Sequence, residues 1–318
     1  MLSIGSQLLE LYITLGGGVL LGWFLGRQLP KVVPEYLGKF LFWVGVPISI
    51  FGFLRQADLS GQIWIAPIVA WVAILLGIGL AWIWICIQTY WQPVDIEPSS
   101  KLWLKATQGS FILSAMVGNT GYLGFPITLD LVGQEYFGWA LFYDLLGSTL
   151  GSYGLGVLLA ARFGMGRQSY WYLAQTLIKN PALWSFGLGL AVHQVPLPKL
   201  AEQSLQLSAW GSVALALVLI GMRLGQLSSW GSWRRASISL GIKMLIVPLT
   251  LGIGLSVLGL KGAPMRAIAL QMAMPPAFAT LVLAETYNLD RDLAVTAIAL
   301  GSTALLFTLP IWLLLFGT

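Results

Sequence analysis

Gly118-Asn119-Thr120-Gly121-Tyr122-Leu123-Gly124-Phe125-Pro126 sits in the middle of one long apolar run, and Met274-Pro275-Pro276-Ala277 sits in the middle of another. A continuous helix accommodates neither. Each interior Gly costs up to ~1 kcal/mol against Ala, and a Pro about 3. Two adjacent prolines delete two backbone donors and push Met274 out of the α region. In a bilayer the freed backbone groups cannot face lipid, so they line a cavity or meet protein partners. Each break also starts a new half-helix, whose N-terminus carries roughly +0.5 charge. Two such ends converging from opposite sides would hold a carboxylate through backbone N–H groups, without a buried Arg. The residues predicted to contact a solute are Asn119, Thr120, Gly121 and Pro126 at the first break, and Gln271, Pro275, Pro276 and Thr280 at the second. One break alone reads as a packing kink. Two at matching positions point to a transport site.

The rest of the chain is built for a bilayer. Of 318 residues, 57% are hydrophobic and 9% charged, against roughly 25% charged in a soluble domain. Residues 63–91, 205–220 and 293–316 carry no charge. The apolar length suffices for ten spans at ~20 residues each. They read as 7–26, 34–54, 62–91, 102–131, 136–161, 172–193, 199–225, 235–258, 264–287 and 291–316. The predicted fold class is an all-α membrane protein with ten transmembrane helices. Five spans (1–163) precede a short linker at 164–169 and five (170–318) follow it, and the fourth span of each half is the broken one. An odd number of spans per half turns the halves over, which predicts a 5+5 inverted repeat.

Basic residues set the orientation. Arg27, Lys31, Lys39, Lys101, Lys105, Arg162, Arg167, Lys179, Arg223, Arg234, Arg235, Lys243 and Arg291 fall near one set of alternating loops, and Arg55, Lys199, Lys261 and Arg266 near the other. The positive-inside rule then places both termini on the non-cytoplasmic side of a plasma or inner membrane. The same bias accounts for the net charge of +5, and no basic soluble face remains for nucleic acid. Trp64, Trp91, Trp103, Trp171, Trp230 and Trp233 lie near span ends, where amphipathic rings meet headgroups. The first apolar stretch has no basic n-region and contains Glu10, which argues against a cleaved signal peptide.

Cys86 is the single cysteine and His193 the single histidine. That excludes a disulfide framework, a cysteine metal site and most nucleophilic or metal chemistry. No enzyme, cofactor or metal is expected. His193 reads as a loop-edge residue.

The stretch from Asn119 through Pro126 to Gly133 resembles the Asn-Thr…Gly-x-Pro segment of the auxin efflux carrier family, which includes plant PIN-type carriers and bacterial permeases. Gln271 to Pro275, continuing through Ala284-Glu285-Thr286-Tyr287-Asn288, resembles that family's ninth-helix segment. Lys179-Asn180-Pro181, Val46 to Phe51 and Leu309-Pro310 fit its pattern too. The resemblance implies an NhaA-like, bile-acid-transporter-like architecture in which broken spans four and nine cross. It implies a scaffold of spans 1, 2, 6 and 7, a mobile transport domain of spans 3–5 and 8–10, and an elevator-like shift carrying a small organic anion such as an indole or other carboxylate. The short central linker is that of a bacterial-type member.

Asp144, beside Tyr143 and ahead of Ser148 and Ser152, lies inside the fifth span. Carboxylates at such depth cost roughly 2.5–3.5 kcal/mol on insertion scales. Asp144 and Tyr143 therefore read either as coupling residues or as a group reaching the outer interface. Lys243 reads as snorkelling to the cytoplasmic surface, and Asp130 and Glu285 as solvated span ends. The Gly18/Gly22/Gly26, Gly147/Gly151 and Gly221/Gly225 stripes permit close helix contact, within one chain or across a homodimer made through the scaffold. The predicted function is secondary transport of a small organic anion. The alternatives are a ligand-binding receptor on a transporter fold and a sodium-coupled carrier of the bile-acid type.

Overall fold

The computed structural model describes residues 4–59, 61–90, 103–164, 175, 178–226 and 231–316, with the side chains of 4–12, 14 and 15 left out. Among these residues the chain is all-helical: α1 (Ile4–Gln28), α2 (Val32–Leu54), α3 (Ile65–Tyr90), α4 (Lys105–Met116), α5 (120–131), α6 (Phe137–Phe163), α7 (Pro181–Ala191), α8 (Lys199–Gly225), α9 (Trp233–Val257), α10 (Gly262–Met272), α11 (Phe278–Thr286) and α12 (Arg291–Phe316). Helices α2, α3, α6, α8, α9 and α12 are each long and apolar enough to cross a bilayer alone. The expected spans at 102–131 and 264–287 arrive as two pairs, α4 with α5 and α10 with α11. Asn180 caps α7, its side-chain oxygen accepting from the Ala182 N–H at 3.0 Å, with Pro181 in the first turn, where a missing N–H costs nothing. Residues 165–169 of the expected linker, the Glu10 side chain, Trp91, Trp171 and Trp230 lie outside the described residues.

Polar ties hold two groups of helices together internally. At one end of the first group, Arg55 pairs with Glu202 at 3.2 Å and donates to the Val192 and Val195 carbonyls at 2.8 and 2.7 Å. This binds the end of α2 to the α7–α8 connection. His193 closes the same junction through the Ala57 carbonyl at 3.1 Å. Deeper in, Ser49 and Gln206 link α2 to α8, and Gln226 links α8 to α1. In the second group, Asp290 caps α12 through the Leu293 N–H, accepts from Thr107 of α4 at 2.9 Å and lies 3.7 Å from Arg235 of α9. Trp71 of α3 donates to the Leu146 carbonyl of α6. Between the groups, among the described residues, lie apolar and aromatic contacts, as where Phe53 meets Phe137 and Phe142 meets Phe186 edge-on, with the Asp58 N–H donating to the Glu135 carbonyl at 2.9 Å and Arg223 set over Phe278. An apolar crevice of about 700 Å³ also runs between α1 and α8 on one side and α5 and α12 on the other.

The glycine stripes are consumed inside the chain. A Cβ on Gly22 would collide with the Val218 carbonyl, and one on Gly221 with the Val19 carbonyl. The α1 and α8 backbones therefore touch along both stripes, and Gly18–Gly26 is not a free dimer face. Gly147 and Gly151 seat α6 against Ala70 and Ile74 of α3. Trp64 and Trp233 are exposed, whereas Trp103 turns inward, only 8% exposed, with its ring edge-on to Phe111.

Candidate functional site

The α-helix that begins at Lys105 stops at Met116 because Val117 adopts an extended conformation (φ −111°, ψ 123°). The helix that begins at Gly262 stops at Met272, and the chain is extended again at Ala277 (φ −70°, ψ 149°). The two open segments find each other. Gly118 and Pro276 form an antiparallel bridge, in which the Asn119 N–H donates to the Pro275 carbonyl at 2.7 Å and the Ala277 N–H to the Val117 carbonyl at 3.2 Å. These bonds satisfy groups that lipid could not. Gly118 relieves crowding there: a Cβ would lie 3.1 Å from the Met274 carbonyl oxygen and 3.2 Å from the Lys243 Cε.

Helix α5 opens with a π-helical stretch, Thr120–Gly124, before Pro126. Its first N–H groups, like those of α11, have no carbonyl one turn back to receive them. Both helix starts border a cavity of about 400 Å³, reached by Asn119, Thr120, Gly121, Ala277 and Phe278. Asn119 is 4% exposed, and its side-chain amide makes no hydrogen bond among the described residues. The Thr120 hydroxyl donates to Asp144, which lines the same cavity from a π-helical turn of α6 together with Ser148 and Ser152. Asp144 thus reaches the cavity and not an outer interface.

The other predicted residues lie elsewhere. Gln271 is fully buried, donates to the Thr128 hydroxyl at 3.2 Å and packs under Gly124, and its Oε1 has no hydrogen-bond partner among the described residues. The Thr280 hydroxyl donates to the Ala277 carbonyl at 2.7 Å, inside the first turn of α11. Pro126 and Tyr143 are buried in packing, and Pro275 and Pro276 shape the bridge without lining the cavity.

Lys243 overturns its sequence reading. It is 2% exposed, and its ammonium donates to the Met272 carbonyl at 3.0 Å, outside the cavity lining. The physical reason is the end of α10, whose last carbonyls lack helical partners and carry the negative end of the dipole. Glu285 pairs with Arg291 at 2.7 Å on the surface and Asp130 is exposed, as solvated ends should be.

The sequence reading missed Arg223, Tyr122 and Tyr153, which also line the cavity. Arg223 was counted with the loop cations. Its position in the last turn of α8, between Gly221 and Gly225, is the available signal.

Residues 165–313 match the family model described as membrane transport protein. Over 300 residues the chain is 31% identical to an uncharacterized transporter of Methanothermobacter thermautotrophicus, covering 92% of this chain and 93% of that one. The chain belongs to the auxin efflux carrier family of membrane transport proteins. It is also 28% identical over 213 residues to an uncharacterized transporter of Methanocaldococcus jannaschii, covering 64% of this chain and 67% of that one. A probable auxin efflux carrier component 5a of Oryza sativa is 26% identical over 159 residues, 46% of this chain and 43% of the rice one. The protein is therefore a multi-pass membrane transporter and not an enzyme.

Proposed function

We propose that this family member carries a small organic anion, bound where the starts of α5 and α11 meet, by an elevator-like movement. The observation that carries the reading is the cavity between those helix starts, bordered by the unengaged amide of Asn119. Two helix N-termini favour a carboxylate electrostatically and supply N–H donors. The molecule reads as ten spans in a 5+5 inverted repeat, with α4–α5 and α10–α11 as the broken, crossing fourth and ninth spans. Helices α1, α2, α7 and α8 form the scaffold, and α3–α6 with α9–α12 the moving body.

The distribution of polar ties supports that division. Strong ties at Arg55 and Asp290 stay within each group, and apolar and aromatic contacts lie between the groups. Such a surface slides at little cost in hydrogen bonds. The cavity mouth carries Lys39 and Glu35, paired at 2.7 Å and well exposed, on the side the positive-inside rule assigns to the cytoplasm. Both termini then lie outside, and the cavity faces inward. Asp144 is the coupling residue of the reading, able to exchange a proton as the cavity changes access.

Uptake of radiolabelled benzoate and indole-3-acetate into proteoliposomes tests the reading. Time-dependent accumulation by the wild type, lost in Asn119→Ala, is the expected result. Binding without accumulation would replace the carrier with a receptor.

A further inference from the structure

Two cations face the cavity from the scaffold side: Lys39 of α2, which is paired with Glu35 at 2.7 Å, and Arg223 of α8, while Asn119, Thr120 and Asp144 sit on the other body. The Arg223 guanidinium lies 4.6 Å from the Phe278 ring centroid, over the first residue of α11. Among the described residues no carboxylate pairs with it. A cation partly removed from water, set against an aromatic face and with no carboxylate partner among the described residues, has charge to offer a bound anion.

Room for it has been made on the neighbouring helix. Gly38 of α2 is buried, and a Cβ there would come 2.7 Å from the Arg223 Nη2, while the next nearest atom, Leu219 Cδ2, stays at an ordinary 3.7 Å. The missing side chain at Gly38 therefore gives the guanidinium its lane past α2 to the cavity. The conflict an alanine would create is with the tip of a flexible side chain, so the tip would move and the helices would not.

Resting on the anion-carrier reading, we infer that Arg223, positioned by Gly38, is the specificity-determining cation that makes the inward-facing cavity select carboxylates over their neutral analogues. The contact belongs to one conformation. Arg223 is fixed to the scaffold and its solute is fixed to the moving body, so translocation separates them. The arginine raises affinity on this side and is left behind on the other, and its weak hold on Phe278 is one that such a movement breaks readily.

The test uses purified full-length protein and thermal-shift titration with three acid–amide pairs: acetate and acetamide, benzoate and benzamide, indole-3-acetate and indole-3-acetamide. At least one acid is expected to stabilise the wild type more strongly than its amide. Arg223→Gln should weaken that acid on the order of tenfold to a hundredfold, as for loss of a charged hydrogen-bonding partner, and leave the amide unchanged. Gly38→Ala retains the arginine, and should reproduce the loss of discrimination at an unaltered unliganded midpoint. Arg223→Lys should recover part of it. If Asn119→Ala abolishes the acid's effect while Arg223→Gln and Gly38→Ala keep full acid-over-amide preference, the Arg223 assignment is overturned and the binding site stands. If no acid stabilises the wild type, both fall together.

Discussion

The two open segments look alike on paper and do different work. The first gives the cavity its side chains: Asn119 presents an unengaged amide and Thr120 holds Asp144. The second gives it backbone. Pro275 offers its carbonyl to the Asn119 N–H, Pro276 forms the bridge, and the polar residues nearby, Gln271 and Thr280, spend their donors on Thr128 and Ala277. The charged residues nearby differ too: Asp144 and Arg223 line the cavity, whereas Lys243 is held by the Met272 carbonyl and does not. Similar breaks thus have unlike surroundings, and on the proposed reading the first recognises the solute and the second shapes its site.

The largest expected effect comes from the recognising segment. Asn119→Ala should weaken the most stabilising carboxylate at least about tenfold, the scale of a hydrogen bond to a charged group, with the unliganded thermal midpoint unchanged. Isothermal titration checks it. Asp144→Asn should come next: flux driven by an imposed pH gradient should fall to the level seen without one, while solute exchange across equal pH continues. Stopped-flow uptake in proteoliposomes reads both.

Changes in the shaping segment should leave affinity alone. Gln271→Met removes the bond to Thr128 but also an acceptor that has no hydrogen-bond partner among the described residues, so the net loss of stability should be about 1 kcal/mol or less. Thr280→Val should be smaller still, about 0.5 kcal/mol, because only a bond within one turn is lost. Denaturant titration measures both, and an altered Kd in either variant would erase the distinction between the two segments.

The location of the breaks was legible because glycine and proline act locally. Their effect on φ, ψ and donor count needs no tertiary partner, and the helices stop within a few residues of where Gly118 and Pro275 demand it. The direction of a side chain on a continuous helix is a tertiary property. Gln271 and Thr280 flank a break in sequence yet turn from the cavity, whereas Arg223, counted as a loop cation, turns into it. Lys243 defeated charge patterning for a related reason. The positive-inside rule counts charges near loops, and it has no term for the carbonyl end of a half-helix inside the protein, which is where Lys243 is spent. The glycine stripes announce close packing, but only the fold assigns their partners: α1 and α8 to each other, and α3 to Gly147 and Gly151.

The central claim is that a carboxylate lies between the starts of α5 and α11. The most direct measurement is an experimental structure of the wild type with the acid that stabilises it most. The expected result is its carboxyl group within hydrogen-bonding distance of the Asn119 amide and of N–H groups at both helix starts. Density for the acid only in the apolar crevice between α1, α8, α5 and α12, with the cavity beside Asn119 filled by water, would contradict it.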